Sequence, residues 1–154
     1  MIDGDSYRDR TAVITGGARG FGRAFGAALA ARGAHVVLVD LDSVAVEAAA
    51  TGIRTAGGAA TALAGDVANE ARIHGGIDIL INNAGLHSDE YSKPIVDMGL
   101  AKTRRLFEVN VFGVVACTLA AKPLMDGRQG ATIVNISSSA GRRRGTDYGT
   151  SKLA

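Results

Sequence analysis

Short, nearly unbroken apolar runs alternate along this chain with longer stretches in which small and apolar residues recur at helical spacing. Thr11-Ala12-Val13-Ile14-Thr15 predicts a short buried strand. A Gly-rich turn follows, then a small-residue helix from about Arg23 to Arg32 with Gly33 as its stop. His35 to Asp40 predicts a second strand, apolar through its middle as suits a strand covered on both faces. Asp42 or Ser43 is placed to cap a helix running through the Ala-rich stretch to about Ala56. Ala59 to Ala64, Ile77 to Asn82 and Ala131 to Ser137 predict three further strands. A long helical stretch from Met98 to about Met125 and a last helix beginning near Tyr148 complete the pattern. Strands alternating with helices predict βαβ units, hence an α/β fold with a doubly wound parallel sheet.

One interval breaks the rhythm. Only the ten residues Val67 to Gly76 separate the third strand from the fourth. In the usual doubly wound order these two strands lie on opposite sides of the first. The connection must step sideways by roughly 14 Å and return along a strand of roughly 17–20 Å. Ten extended residues reach at most ~33–36 Å in a straight line, which leaves no length for a crossover helix. The expectation is therefore that one crossover helix is absent, with a break between Ala71 and Gly75.

Composition narrows the function classes. A chain of 154 residues, 47% apolar, has the length for one domain with a sizeable core. A net charge of +2 gives no electrostatic case for a nucleic-acid partner. The lone Cys117 rules out an intramolecular disulfide and a Cys-based zinc site, and Asp89, Glu90 and Asp97 form no ligand cluster, so no metal is expected. Met1 to Arg10 is polar and charged, unlike a signal peptide, and no apolar run approaches the ~20 residues of a bilayer span. The expectation is a cytoplasmic protein with no membrane partner.

Three stretches carry chemistry. Thr15-Gly16-Gly17-Ala18-Arg19-Gly20-Phe21-Gly22 joins the first strand to the first helix, where glycines let the backbone approach a pyrophosphate and the helix N-terminus offers free N–H groups. The bland alternative is a Gly-rich turn without a ligand. Asp40 ends the second strand, where a carboxylate can hold the adenosine ribose hydroxyls and repel a 2′-phosphate, favouring NAD. Arg19 pulls the other way, so NADP stays open. Tyr148 and Lys152 are four residues apart, which on a helix puts both side chains on one face. An ammonium there favours a phenolate, and such a phenol can exchange a proton with an alcohol or ketone. The same spacing also occurs on many solvated helix faces.

With Asn82-Asn83-Ala84-Gly85 after the fourth strand, these motifs resemble the short-chain dehydrogenase/reductase family, and more closely its single-domain oxidoreductases. The resemblance covers nearly the whole chain and implies a Rossmann-type sheet over residues 1–154, a single dinucleotide-binding domain incomplete at its C-terminus. It implies that Gly16, Arg19, Gly20, Phe21 and Gly22 line the pyrophosphate and ribose site, with Asp40 on the ribose. Asp66 and Val67 would flank the adenine, and Asn83, Ala84 and Gly85 would border the adenosine and the central sheet. Asn110 matches the helix Asn that supports a proton-relay water, Tyr148 the general acid/base, and Lys152 the residue that binds the nicotinamide ribose and tunes the Tyr. The pattern Ser-x-x-Gly, anchored on Gly141, selects Ser138 from the run Ser137 to Ser139 as the substrate-orienting hydroxyl, against the plainer reading of a turn cap. Ser138 lies only ten residues before Tyr148, fewer than the family usually has, so a second short omission is expected within Arg142–Asp147. Arg142-Arg143-Arg144 reads as a solvated loop, His87 as a structural histidine within reach of the substrate cleft, and Cys117 as core.

The resulting expectation is an NAD-dependent oxidoreductase, with NADP possible, that interconverts a secondary alcohol and a ketone. Its partners would be a small-molecule alcohol or ketone and further copies of itself, as a homo-tetramer or homo-dimer built through the Met98–Met125 helix. Two alternatives stay open: an epimerase or dehydratase of the extended branch of the family, and a dinucleotide-binding scaffold without catalysis.

Overall fold

The computed structural model describes residues 6–67, 76–87, 89–91, 93–142 and 147–153. Five parallel strands, β1 (Thr11–Thr15), β2 (His35–Asp40), β3 (Ala59–Ala64), β4 (Ile79–Asn82) and β5 (Thr132–Asn135), form one sheet in the order β3-β2-β1-β4-β5. This is the doubly wound parallel sheet the strand pattern predicts. β1 pairs with β2 from Thr11↔His35 to Thr15↔Val39 and with β4 from Ala12↔Ile79 to Ile14↔Ile81.

Alternation along β1 explains why the strand reads as apolar throughout. Ala12 and Ile14 enter a core shared with helices α1 (Gly20–Ala30) and α2 (Ser43–Thr55), among Leu38, Val46, Ala50 and Ile53. Val13 enters the opposite core with Val39, Leu80, Val109, Cys117, Ala121 and Met125. Ile14, Leu38 and Leu80 are fully buried, each worth about 1.5–3 kcal/mol against exposure. α2 begins where the sequence places its cap, with the Asp42 carboxylate accepting the Ala45 N–H at 2.9 Å.

The second core is closed by a helix that runs from Leu100 to Met125 in three parts: α4 (Leu100–Phe107), a π-helical turn (Glu108–Phe112) and α5 (Gly113–Met125). A separate short helix, α3 (Ile95–Met98), precedes it across Gly99 at φ 78°. The expected single helix from Met98 is thus interrupted at Gly99 and widened at Asn110. The expectation that no apolar stretch reaches membrane-spanning length also needs correcting. Leu100–Met125 is 26 residues and is long and apolar enough by length and composition to cross a bilayer. Counting uninterrupted apolar runs missed it, because its charges cluster in the first turns. In the fold it packs into the core on that face of the sheet through Val109, Cys117, Ala121 and Met125.

At the N-terminal end of the sheet, Asp78 is buried and its carboxylate is fully engaged. It accepts Arg128 Nε and Nη2 at 3.0 and 2.7 Å, Arg10 Nη1 at 3.1 Å and the Thr11 N–H at 2.8 Å. These bonds, Arg128 first, hold its carboxyl at about 2. β3 and β5 are the edge strands among the described residues, and all four residues of β5 are exposed. α6 (Asp147–Leu153) starts one residue before its predicted place. The expected break at Ala71–Gly75 falls in residues 68–75, and the expected omission in the loop after Gly141 falls largely in 143–146; both lie outside the described residues.

Candidate active site

In an open parallel sheet the loops after the strand C-termini converge, and the predicted cofactor-site residues from Gly16 to Gly85 lie at or beside those loops, with Asn110, Tyr148 and Lys152 on helices. Thr15 ends β1 and starts the turn. Its hydroxyl accepts the N–H groups of Asn83 and Ala84, each at 3.0 Å, which docks the segment after β4 onto the turn after β1. Asn83 returns the contact: its amide donates to the carbonyls of Thr15 and Gly16 at 3.0 and 3.1 Å. Asn83 is therefore a brace for the Gly-rich turn, on the central-sheet side of its expected role.

Glycine is required in this turn by close approach. A Cβ on Gly22 would lie 2.1 Å from the Gly16 carbonyl oxygen and 2.6 Å from Asn83 Nδ2. One on Gly17 would lie 2.9 Å from Leu38 Cβ. Gly16 and Gly20 also take left-handed backbone, at φ 65° and 52°. α1 begins at Gly20 rather than Arg23, and its N-cap residue Arg19 makes no side-chain cap bond. The first-turn N–H groups are thus left for a ligand, whereas those of α2 meet Asp42. Uncapped amides beside open space at Gly20 suit a pyrophosphate.

Asp40 sits at the end of β2 as predicted. Its carboxylate accepts the Ala18 N–H at 3.0 Å and the Asp42 N–H at 3.2 Å, joining the Gly-rich turn to the start of α2. Arg19 pairs with Asp42 at 2.5 Å. That contact with Arg19, after the Ala45 N–H, helps keep the exposed Asp42 carboxyl below its ordinary range. Asp40, Asp66, Val67, Gly16, Ala84 and Gly85 line one cavity of about 180 Å³, together with Leu41, Gly65, Leu86, Val109 and Arg105. Arg105 was not anticipated from sequence. It reaches from α4 to Asp66 at 2.7 Å and fixes that carboxylate at the cavity wall. Phe21 is exposed on α1 and stacks on Phe25, with ring centroids 6.2 Å apart.

The second half of the site is organised by Asn110. The π turn buries Asn110 and aims its amide between two chain segments. Its Oδ1 accepts the Leu86 N–H at 2.8 Å, and its Nδ2 donates to the Leu86 carbonyl at 3.3 Å and to Ser151 Oγ at 3.0 Å. Ser151, buried in α6, donates in turn to the Tyr148 carbonyl at 2.9 Å. Ser151 was invisible to motif reading, although it is the residue that links Asn110 to the helix carrying Tyr148 and Lys152.

Tyr148 and Lys152 share α6, one turn apart. Lys152 is half-buried, and its Nζ donates to the Ile136 carbonyl at 3.0 Å. Burial pushes its ammonium below the usual lysine range. A Cβ on Gly85 would stand 3.3 Å from Lys152 Nζ and 3.4 Å from Asn110 Oδ1, so both groups border the NNAG loop. Of the three serines after β5, Ser137 donates to the Lys152 carbonyl at 2.9 Å and is committed to α6. Ser138 accepts the Ala140 N–H at 3.2 Å, which caps the short 3-10 turn Ser139–Arg142 and leaves its hydroxyl proton unassigned. His87 lies edge-on to the Tyr148 ring, with centroids 4.6 Å apart.

A sequence model of the short chain dehydrogenases matches residues 10–154. The chain belongs to that family. It is 41% identical over 145 residues to a sorbitol dehydrogenase of Cereibacter sphaeroides, covering 87% of this chain and 54% of that one. It is 32% identical to the 7alpha-hydroxysteroid dehydrogenase of Escherichia coli K12, across all of this chain and 65% of that one. That alignment takes 169 positions to accommodate the 154 residues, so the relative carries residues at internal positions where this chain has none. Among solved structures, a short-chain dehydrogenase/reductase from Burkholderia phymatum in complex with NAD superimposes with a TM-score of 0.88 at 31% identity, over 96% of this chain and 57% of that one. The chain thus spans between about half and two thirds of the length of these relatives.

Proposed function

We propose that this chain is the dinucleotide-binding domain, residues 1–154, of an oxidoreductase that interconverts a secondary alcohol and a ketone, with NAD as its preferred cofactor. The single observation that carries the reading is the joint held by Asn110, which fixes the NNAG loop and the helix bearing Tyr148 and Lys152 to each other beside the dinucleotide cavity. A bound nicotinamide dinucleotide would supply the hydride acceptor or donor. The chain's own residues would hold that group. Gly16, Arg19, Gly20, Phe21 and Gly22 receive the pyrophosphate and its ribose at the uncapped end of α1. Asp40 faces the adenosine ribose, with Asp66 and Val67 at the adenine and Asn83, Ala84 and Gly85 forming the floor.

Tyr148 passes the hydroxyl proton to or from the substrate oxygen. Lys152 holds the nicotinamide ribose and stabilises negative charge on the phenol oxygen. Ser138 uses its unassigned hydroxyl proton to donate to the substrate oxygen. Asn110 supports a relay water on the inner side of Lys152. NAD is favoured over NADP because Asp40 confronts the 2′ position, and the cation that would welcome a phosphate, Arg19, is already neutralised by Asp42. The extended-branch and scaffold alternatives gain no specific support from the geometry.

A second copy of the chain is the fitting partner for the Leu100–Met125 helix, whose outer face carries Phe112, Val115 and Leu119 at helical spacing, all exposed. Sedimentation at micromolar concentration tests this, since a monomer removes it. Nothing in the reading calls for a membrane or nucleic acid, and the cytoplasm is the compartment it implies. The decisive test of function is Tyr148→Phe. Turnover of alcohols should fall by about 10²–10⁴ while NADH binding changes less than threefold. Retained turnover refutes the assignment.

A further inference from the structure

We propose that His87 is a specificity residue that binds the oxygen next to the reacting carbon, so that the enzyme prefers vicinal diols to isolated secondary alcohols. The proposal rests on Tyr148 being the proton-transfer group. Polar groups around Tyr148 are largely committed to the protein itself. Lys152 Nζ is bonded to the Ile136 carbonyl, Ser137 to the Lys152 carbonyl, and the Asn110 amide to Leu86 and Ser151. The exposed imidazole of His87 is different: it has no hydrogen-bond partner among the described residues, and it touches the Tyr148 ring.

Its placement is also fixed from behind. Leu86, its chain neighbour, has both main-chain polar groups held by Asn110, and Asn110 holds Tyr148 through Ser151. Imidazole and phenol are therefore set by one buried amide, on opposite sides of a closed circuit. A vicinal diol, with its two hydroxyls and the hydrogen bond at each end, spans roughly 8 Å. Ring centroids 4.6 Å apart keep the two polar rims within that span. An alcohol without the neighbouring oxygen would leave the imidazole unused.

The test compares cyclohexanol with trans-cyclohexane-1,2-diol, with NAD, for the parent protein, His87→Phe and His87→Gln. Phe keeps an aromatic edge against Tyr148 and removes the hydrogen bond. His87→Phe should lower kcat/KM for the diol at least tenfold, mainly through KM, and change cyclohexanol less than threefold. His87→Gln should recover part of the diol preference. Equal losses on both alcohols would make His87 a mere buttress for the Tyr ring and overturn the proposal, as would no loss on the diol. A second readout needs no turnover. The imidazole C–H signals of His87, identified by their loss in His87→Gln, should move when the diol is added to protein and NAD, and stay still with cyclohexanol. Silence with the diol refutes the proposal. Oxidation of neither alcohol by the parent protein would count against the dehydrogenase reading, and the imidazole signals would still decide His87.

Discussion

Replacing Asp78 by Asn tests whether the N-terminal end of the sheet is held by charge. The carboxyl titrates at about 2 in the folded chain, against an ordinary value of 3.8. A difference of that size corresponds to roughly 2.5 kcal/mol at 1.36 kcal/mol per pH unit. Arg10 and Arg128 are 39% and 36% exposed, so solvent screening reduces it to about 1–2 kcal/mol. The sign is fixed by linkage. The folded value is depressed, so as pH falls the unfolded chain takes up the proton first. The stabilisation is complete above about pH 5 and is lost as pH falls from about 4 to 2. Urea unfolding of parent and Asp78→Asn proteins from pH 7 to pH 2 measures it directly. At pH 7 the variant should be less stable by about 1–2 kcal/mol, or roughly 3–6 °C in Tm. The gap should stay level to pH 5 and close towards pH 2, with NADH affinity at neutral pH unchanged, because Asp78 lies at the opposite end of the strands from the site. A gap that persists undiminished at pH 2, or none at pH 7, would refute the clamp.

Three further outcomes are expected. Asn110→Ala strips the Leu86 main chain and Ser151 of their partners, so Tm should fall by about 5 °C or more and alcohol turnover by about 10²-fold, with NADH affinity within a few-fold by fluorescence titration. Gly22→Ala drives a methyl into the Gly16 carbonyl and should weaken NADH binding at least tenfold and cost about 1–3 kcal/mol in stability; unchanged binding would mean the turn does not receive the cofactor. Asp42→Ala releases Arg19 and removes the α2 cap, which should raise the ratio of NADPH to NADH affinity about tenfold while lowering stability by about 1 kcal/mol. An unchanged ratio would remove Asp42 from cofactor choice.

The strands were legible because each was a short run of small and apolar residues beside Gly or Asp, and β1, with Ala12, Val13 and Ile14 all buried, shows no polar alternation. The turn from Gly16 to Gly22, Asp40 and the Tyr148/Lys152 pair could be located because their chemistry depends on local spacing. What escaped depends on contacts far apart in sequence. Thr15 and Ser151 are ordinary hydroxyl residues until β4 and the Asn110 amide arrive beside them. Arg105 looks like a solvated helix charge until Asp66 meets it across 39 positions. The start of α1 was placed three residues late because Gly20 and Gly22 weigh against a helix by propensity. Their role is steric clearance, which propensity does not measure.

The π turn at Glu108–Phe112 holds one residue more than a regular helical turn would. Beyond it, Cys117, Ala121 and Met125 are buried in the core that the helix shares with the sheet. If the same residues took regular winding, the Gly113–Met125 segment would turn by about 100° about the helix axis. That rotation would lift Cys117 and Met125 off the sheet and swing the exposed row at Phe112, Val115 and Leu119 to a new azimuth. A residue added to the regular turns that follow has no such wide turn to absorb it, and would carry both faces of the helix round together.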